Sequence, residues 1–391
     1  MRLLHTSDWH LGRTLHGLDL LDAQRAVLGQ LHALVADPVD GIAIDAVLVA
    51  GDVYDRAVPP VEAVSLFADT LAGLIEHTTV IVTAGNHDSA IRLGFGSRLF
   101  TDRLRLRTEL AGVGEPVLLG DPGAGQLAVY PLPYLDPDAA RIVLATEDRP
   151  VERSHQAVMS AAMRRVRADL AGRPGAASVV LAHAFVVGGA PSESERSIAV
   201  GGVDSVAADT FDGVDYVALG HLHGAQQPRS SSATVLRYSG SPLRYSFSEH
   251  GHTKSVTLVD IEPGGRVEVQ AVPLAQPRAM TELTGTLEKL LALDGHGEDW
   301  VKLTVTDRVR PDRLFDRARS CYPQVLQVLH EPAGGQPAGE VALGAVERSP
   351  RELGSDFVSH VTGSPASAAE LNLFERAYER ALVTVPPVGN R

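Results

Sequence analysis

A chain of 391 residues with 44% hydrophobic and 21% charged positions has the make-up of a folded protein, long enough for two domains and an appendage. Its 48 acidic against 35 basic residues leave a net charge of −13, which argues against tight stand-alone binding of nucleic acid unless bound cations or a basic partner offset it. Cys321 is the single cysteine, excluding a disulfide framework or cysteine-based zinc site, while strand-length apolar runs and the early polar Ser7-Asp8 predict no signal peptide, no membrane partner and a cytoplasmic location.

In chain order, short β-branched runs alternate with helical stretches over roughly the first 270 residues, the pattern of an α/β domain. Strands are predicted at Leu3–Thr6, Ala46–Ala50, Val80–Ala84, Val179–Ala182 and Tyr216–Leu219, each apolar on both faces as in a sheet covered on two sides. Helices are predicted over Asp19–Val35 and Pro60–Glu76. The segments Val235–Ser241, Ser255–Glu262 and Arg266–Val272 read as antiparallel strands that close the domain.

After Pro273 the pattern changes: a helix over Thr281–Leu293, a strand over Trp300–Thr306, a helix over Pro311–Cys321 and a strand over Gln324–His330. Glu331–Gly339 is rich in Gly and Pro and reads as a linker. Ser367 with Glu370 three residues on is a capping box, followed by an apolar stripe of Leu371, Phe374, Tyr378 and Leu382. The expected domains are therefore residues 1–275, 276–335 and 340–391.

The chemistry lies at the strand ends. Asp8-Trp9-His10, Gly51-Asp52-Val53-Tyr54-Asp55, Gly85-Asn86-His87-Asp88, His183 and Gly220-His221-Leu222-His223 each follow a buried strand. Polar residues outside the carboxyl ends of α/β strands converge on one rim, and histidine is a poor turn former with no structural reason to recur there. Carboxylates, one amide oxygen and several imidazoles without thiolate suit octahedral manganese or iron, with magnesium disfavoured by the nitrogens. Asp52 is the natural bridge between two ions, which at about 3.5–4 Å apart clamp both attacking and leaving oxygens of a phosphoryl centre. The glycines before Asp52, Asn86 and His221 are expected to permit the sharp turn and the approach of a phosphate. His5, His16 and His32 are expected to be structural or surface residues. Arg13 and Arg244 stand near these motifs as phosphate contacts or as salt-bridge partners of nearby acids.

This ordered set resembles the calcineurin-like metallophosphoesterases. The fuller strings His5–Gly12, Val49–Asp55, Ala84–Ser89, Ala218–His223 and Tyr238–Arg244 are similar to the branch of that family formed by nuclease subunits of bacterial DNA-repair complexes. The resemblance implies a metallophosphoesterase β-sandwich flanked by helices, a small α+β capping domain and a C-terminal helical segment that binds a partner. It implies that Asp8, His10 and His223 bind one Mn2+ and that Asn86, His183 and His221 bind a second. Asp52 would bridge them, and Mg2+ or Fe are the substitutes. His87 matches the catalytic histidine beside the metals, and Asp55 is expected to orient it through its carboxylate. The implied activity is double-strand 3′-to-5′ exonuclease and single-strand or hairpin endonuclease cleavage of DNA. The implied partners are a coiled-coil ATPase and a second copy of the chain, together a heterotetramer.

Two alternatives compete. A phosphatase or phosphodiesterase of the same scaffold acting on another substrate is disfavoured by Asp55-Arg56-Ala57 and Asn86-His87-Asp88, since protein phosphatases of this kind read Asp-Arg-Gly and Asn-His-Glu there. A catalytically silent scaffold that only binds DNA or the partner is disfavoured because every ligand position is filled.

Overall fold

A computed structural model describes residues 1–38, 40–121, 125–195, 205–332, 354–355, 358 and 366–384. The chain divides into two compact units, Met1–Ala333 and Gly334–Arg391.

The first unit is organised around two sheets. Strands β1 (Arg2–Thr6), β2 (Ala46–Ala50), β3 (Thr79–Thr83) and β4 (Leu104–Arg107) run parallel, side by side. The chain then crosses to a second sheet, β5 (Val117–Leu119), β6 (Leu127–Pro131), β7 (Ala177–His183), β8 (Tyr216–Gly220) and β9 (Val235–Tyr238), parallel except at the β5–β6 edge. Finally β10 (Ser255–Ile261) and β11 (Val267–Pro273) return to the first sheet and add antiparallel to β1, giving the order β11-β10-β1-β2-β3-β4.

The two sheets face each other across a shared apolar layer that includes Leu3, Leu48, Ile81, Val129, Leu181 and Ala218. Helices α1 (Leu21–Ala36) and α2 (Val61–His77) bury Leu28, Leu31, Leu66 and Leu74 against the outer face of the first sheet. Helices α3 (Pro137–Leu144) and α4 (His155–Leu170) do the same for the second, through Leu144, Val158, Met163 and Val166. Each central strand is thus covered on both faces, which is why its sequence reads as an unbroken apolar run. The expected helix-flanked sandwich is present.

One strand was expected in the wrong sense. Val235–Tyr238 pairs parallel with β8, in register Tyr216↔Val235, and belongs to the second sheet. A parallel neighbour needs a crossover connection, and the long stretch from His221 to Thr234 carries the chain back to the start of β8.

Residues beyond Pro273 add a small parallel sheet of β12 (Met280–Gly285), β13 (Trp300–Val305) and β14 (Val325–His330), packed on α5 (Leu287–Leu291) and α6 (Leu314–Cys321). The helix expected over Thr281–Leu293 is instead β12 followed by the short α5. Thr281 and Thr284 favour an extended backbone, and pairing with β13 outweighs the modest helix propensity of Glu282 and Leu283. Met280 and Trp300 pack with Leu15, Leu20, Leu243 and Tyr245, joining this sheet to the loops beside the motif-bearing rim.

In the second unit, α7 (Ala368–Thr384) begins with the expected capping box. The Glu370 carboxylate accepts from the Ser367 backbone N–H and hydroxyl, both at 2.7 Å, and Ser367 Oγ accepts from the Glu370 N–H at 3.3 Å. Leu371 and Phe374 are half-buried; the side chains of Tyr378 and Leu382, and the expected linker beyond residue 332, lie outside the described residues. Among the described residues no helix is long and apolar enough to cross a membrane.

Candidate metal centre

The carboxyl ends of β1, β2 and β3 in one sheet and of β7 and β8 in the other meet at the same end of the sandwich, bringing all five motifs together. The rim is formed by two facing sheets, as in the expected sandwich. The backbone there is strained. Among the described non-glycine residues, positive φ occurs at Asp8 (55°), His10 (43°), His16 (48°), Asp52 (50°), His221 (106°) and Arg313 (49°). Four of these six are expected ligands. Each such conformation costs about 1–3 kcal/mol and persists where the surroundings force it.

Backbone pairing fixes the loops. Asp8 N–H donates to the Gly51 carbonyl at 3.1 Å and His10 N–H to the Asp52 carbonyl at 3.0 Å. Gly51 has φ +80°, and a Cβ on Gly85 would lie 2.1 Å from Asp52 Oδ1. At both positions glycine is required by the close approach of neighbouring loops, a tighter constraint than access for a phosphate. The Asp88 carboxylate ties the two loops, accepting N–H bonds from Val53 (3.1 Å), Tyr54 (2.9 Å) and Gly85 (2.9 Å). Burial and the Asp52 charge nevertheless raise its pKa to about 7.

Asp52 is central. Its Oδ1 accepts the His87 N–H at 2.9 Å. Its Oδ2 lies 3.7 Å from His10 Nε2, 3.9 Å from His87 Nε2 and 3.5 Å from His183 Nε2. One oxygen therefore faces a member of each expected ligand set. Asp8, His10 and His223 form one group able to hold an ion, Asp8, Asp52 and His183 a second, and His10, Asp55 and His87 a third. Asn86 Oδ1 is 2.9 Å from His183 Nε2, and the His221 ring lies 5.4 Å from that of His183. The seven expected ligands and His87 therefore converge, six of the seven buried and Asn86 half-buried.

The hydrogen-bond balance shows that this donor set fits divalent cations. His183 Nδ1 donates to the Ala50 carbonyl at 2.9 Å, so its Nε2 is a bare lone pair, and it points at another acceptor, Asn86 Oδ1. His10 Nε2 and His223 Nε2 face each other at 3.0 Å, while His10 Nδ1 is buried without a hydrogen-bond partner. Burial pushes the Asp8 and Asp52 carboxyls up, and for Asp8 the Asp52 charge adds to it. Burial also pushes His10 and His221 well below the usual imidazole range and His183 down to about 3. Neutral imidazoles and crowded carboxylates facing one another are what a pair of N/O-ligated divalent ions satisfies.

His87 is held differently. Its Nδ1 donates to the backbone carbonyl of Asp55 at 2.7 Å, leaving Nε2 turned into the site, and its side chain is 12% exposed. The expected carboxylate of Asp55 is not what orients it. Asp55 Oδ1 instead lies 3.6 Å from His10 Nδ1 and 3.6 Å from Arg13. The Asp55 carboxylate thus stands between His10 and Arg13, beyond hydrogen-bond distance of both.

Other expectations resolve as follows. His5 is structural: Nε2 donates to the Leu219 carbonyl (3.2 Å) and Nδ1 accepts from the Tyr216 hydroxyl (2.9 Å). Arg13 donates to the Ser194 carbonyl at 3.0 Å and stacks 5.2 Å over Tyr245. Arg244 donates to the His252 carbonyl at 2.9 Å. Sequence reasoning missed Glu249, fully buried behind His223 with Lys254 at 2.5 Å. Ser246 and Glu249 have capping-box spacing, which in sequence points to a surface turn, so no signal marked the inward carboxylate.

Comparison with known proteins agrees with this geometry. Residues 1–225 match the family model described as Calcineurin-like phosphoesterase. The chain is 37% identical over 345 residues to SbcD, the D subunit of nuclease SbcCD, from Bacillus subtilis (strain 168), covering 84% of this chain and 85% of that protein. It is 32% identical to the proteins of the same name from Staphylococcus epidermidis (74% of each chain) and Staphylococcus saprophyticus (85% of each).

Proposed function

Since the chain belongs to the calcineurin-like phosphoesterases, and within them to the SbcD nuclease subunits, we propose that it is a manganese-dependent two-metal DNA nuclease working with a coiled-coil ATPase in DNA repair and recombination. The supporting observation is the convergence of seven acceptor side chains from both sheets, with lone pairs facing one another, around a half-buried rim histidine. Asp8, His10 and His223 are assigned to one ion and Asn86, His183 and His221 to the other, with Asp52 between them. Mg2+ or Fe are the substitutes.

When bound there, the ions supply Lewis-acid stabilisation of charge on the phosphoryl oxygens and activate the attacking water. The chain's own residues do the rest. Asp52 Oδ2 faces both ligand sets, so its second oxygen is free to hold the His87 backbone. His87, its Nδ1 fixed on the Asp55 carbonyl, presents Nε2 to the reacting phosphate to stabilise negative charge or protonate the leaving 3′-oxygen. The finer activities proposed are double-strand 3′-to-5′ exonuclease and single-strand or hairpin endonuclease cleavage, in the cytoplasm.

We assign residues 276–335 as the capping domain and α7 as the segment that docks the ATPase. The homodimer is assigned to an apolar surface carrying Val58, Val61, Ile91, Phe95 and Leu99, exposed by 63, 80, 88, 85 and 86%. Arg92 donates to the Ala57 carbonyl at 3.0 Å and so ties the two segments of this patch together. Such clusters mark interaction sites more often than solvated faces.

The test is purified full chain with Mn2+ and linear double-stranded DNA. Release of nucleotides that stops on chelation is the expected result. No cleavage, alone or with the coiled-coil ATPase, overturns the reading.

A further inference from the structure

Behind the rim, His223 is held at three separate points by groups outside the five motifs. Its backbone N–H donates to Glu195 Oε1 at 2.7 Å. Its carbonyl accepts from Lys254 Nζ at 2.9 Å. Its Nδ1 lies 2.6 Å from Ser194 Oγ and 3.3 Å from Glu249 Oε1, and Ser194 in turn donates to Glu249. Glu249 is completed by Lys254 at 2.5 Å, and Lys254 also donates to Ser241 Oγ at 2.9 Å. Ser194, Glu249 and Lys254 are 7, 0 and 2% exposed.

The chain of donors has one consistent direction. Ser194 Oγ gives its proton to the carboxylate, so it can only accept from His223, and His223 Nδ1 must carry the hydrogen. His223 Nε2 is thereby left as a lone pair directed toward His10 and Asp8. We propose that Glu249, with Ser194 as its intermediary and Lys254 as its counter-ion, is the positioning residue of this metal centre, setting the tautomer and ring orientation of His223. A buried carboxylate–lysine pair is a poor source of stability, since desolvation consumes most of its attraction. Directing a ligand imidazole is a use that repays the cost. The proposal rests on the reading of His223 as a ligand, and its test separates the two.

Mn2+ binding to the full chain is measured by titration calorimetry for the parent, His223→Ala, Glu249→Gln, Ser194→Ala and the charge-balanced Glu249→Gln/Lys254→Met, with melting of each metal-free chain alongside. Expected are a weakening of Mn2+ affinity of about 10–100-fold in Glu249→Gln and the double variant, a smaller loss in Ser194→Ala, and recovery of cleavage at raised Mn2+. His223→Ala should lose one ion. If His223→Ala binds Mn2+ like the parent, the ligand reading fails and this proposal with it. If His223→Ala loses an ion but Glu249→Gln and the double variant keep parental affinity, the positioning role alone is overturned, whatever happens to melting.

Discussion

The His87 ring is fixed on the Asp55 carbonyl with Nε2 3.9 Å from Asp52 Oδ2, beside a ligand cluster whose members face one another at 2.9–3.0 Å. That difference predicts a separation of effects. His87→Ala should retain two Mn2+ per chain by elemental analysis while cleavage falls about 10²–10⁴-fold, the usual worth of a positioned acid or base. Loss of an ion would reassign it as a ligand. Asp88 has the opposite role, as the tie between the Asp52 and Asn86 loops. Asp88→Ala leaves three backbone N–H groups without their acceptor, each costing about 1–3 kcal/mol. Denaturant unfolding should show a loss on the order of 3 kcal/mol or more, with Asp88→Asn intermediate. Parental stability in Asp88→Ala would mean that solvent replaces the carboxylate. In sequence nothing marked Asp88 for this role; only its three backbone partners reveal it.

At the scale of elements, the central strands and first two helices were legible to within one or two residues because burial on both faces writes a continuous apolar run. Thr281–Leu293 was not, because a short strand followed by a short helix has too few residues to show either period. Partner strands also set the sense of Val235–Tyr238, and no local pattern encodes a partner. For α7 the capping box was readable at residue level and is realised in its hydrogen bonds. Truncation before Ser364 should leave the melting of the nuclease unit within about 1 °C of the parent and abolish co-purification with the coiled-coil ATPase. Retained co-purification, or collapse of the nuclease fold, would contradict its assignment as the docking segment.

For the whole molecule, buried neutral histidines tie stability to pH. Burial holds His5 at about 3 in the folded chain, against about 6.5 unfolded. Between those values the unfolded chain binds the extra proton, so this contribution is complete above pH 6.5 and is lost as pH falls toward 3. By pH 5 the loss from His5 alone is about 2 kcal/mol. Between pH 6.5 and pH 4.5 melting temperature should therefore fall more in the parent than in His5→Gln, because the raised Asp8, Asp52 and Asp88 carboxyls act with the opposite sign but equally in both. Equal slopes would show that His5 takes up its proton without penalty. The net charge of −13 is reconciled with a DNA substrate in part by the site itself, whose carboxylates are counted as negative but face cation positions. The remaining acidity fits a protein whose partner supplies much of the grip on DNA.

The sequence by itself determined the α/β class, the strands that carry the site and the identity of the converging side chains, because a buried strand and a metal ligand each demand particular residue types at particular positions. Only the tertiary structure decided that Val235–Tyr238 joins the second sheet parallel to β8, that the Asp55 carbonyl rather than its carboxylate holds His87, and that Glu249 and Lys254 stand behind His223. Those facts depend on which distant segments meet, and a hydrogen bond between residues far apart in the chain leaves no periodicity to read.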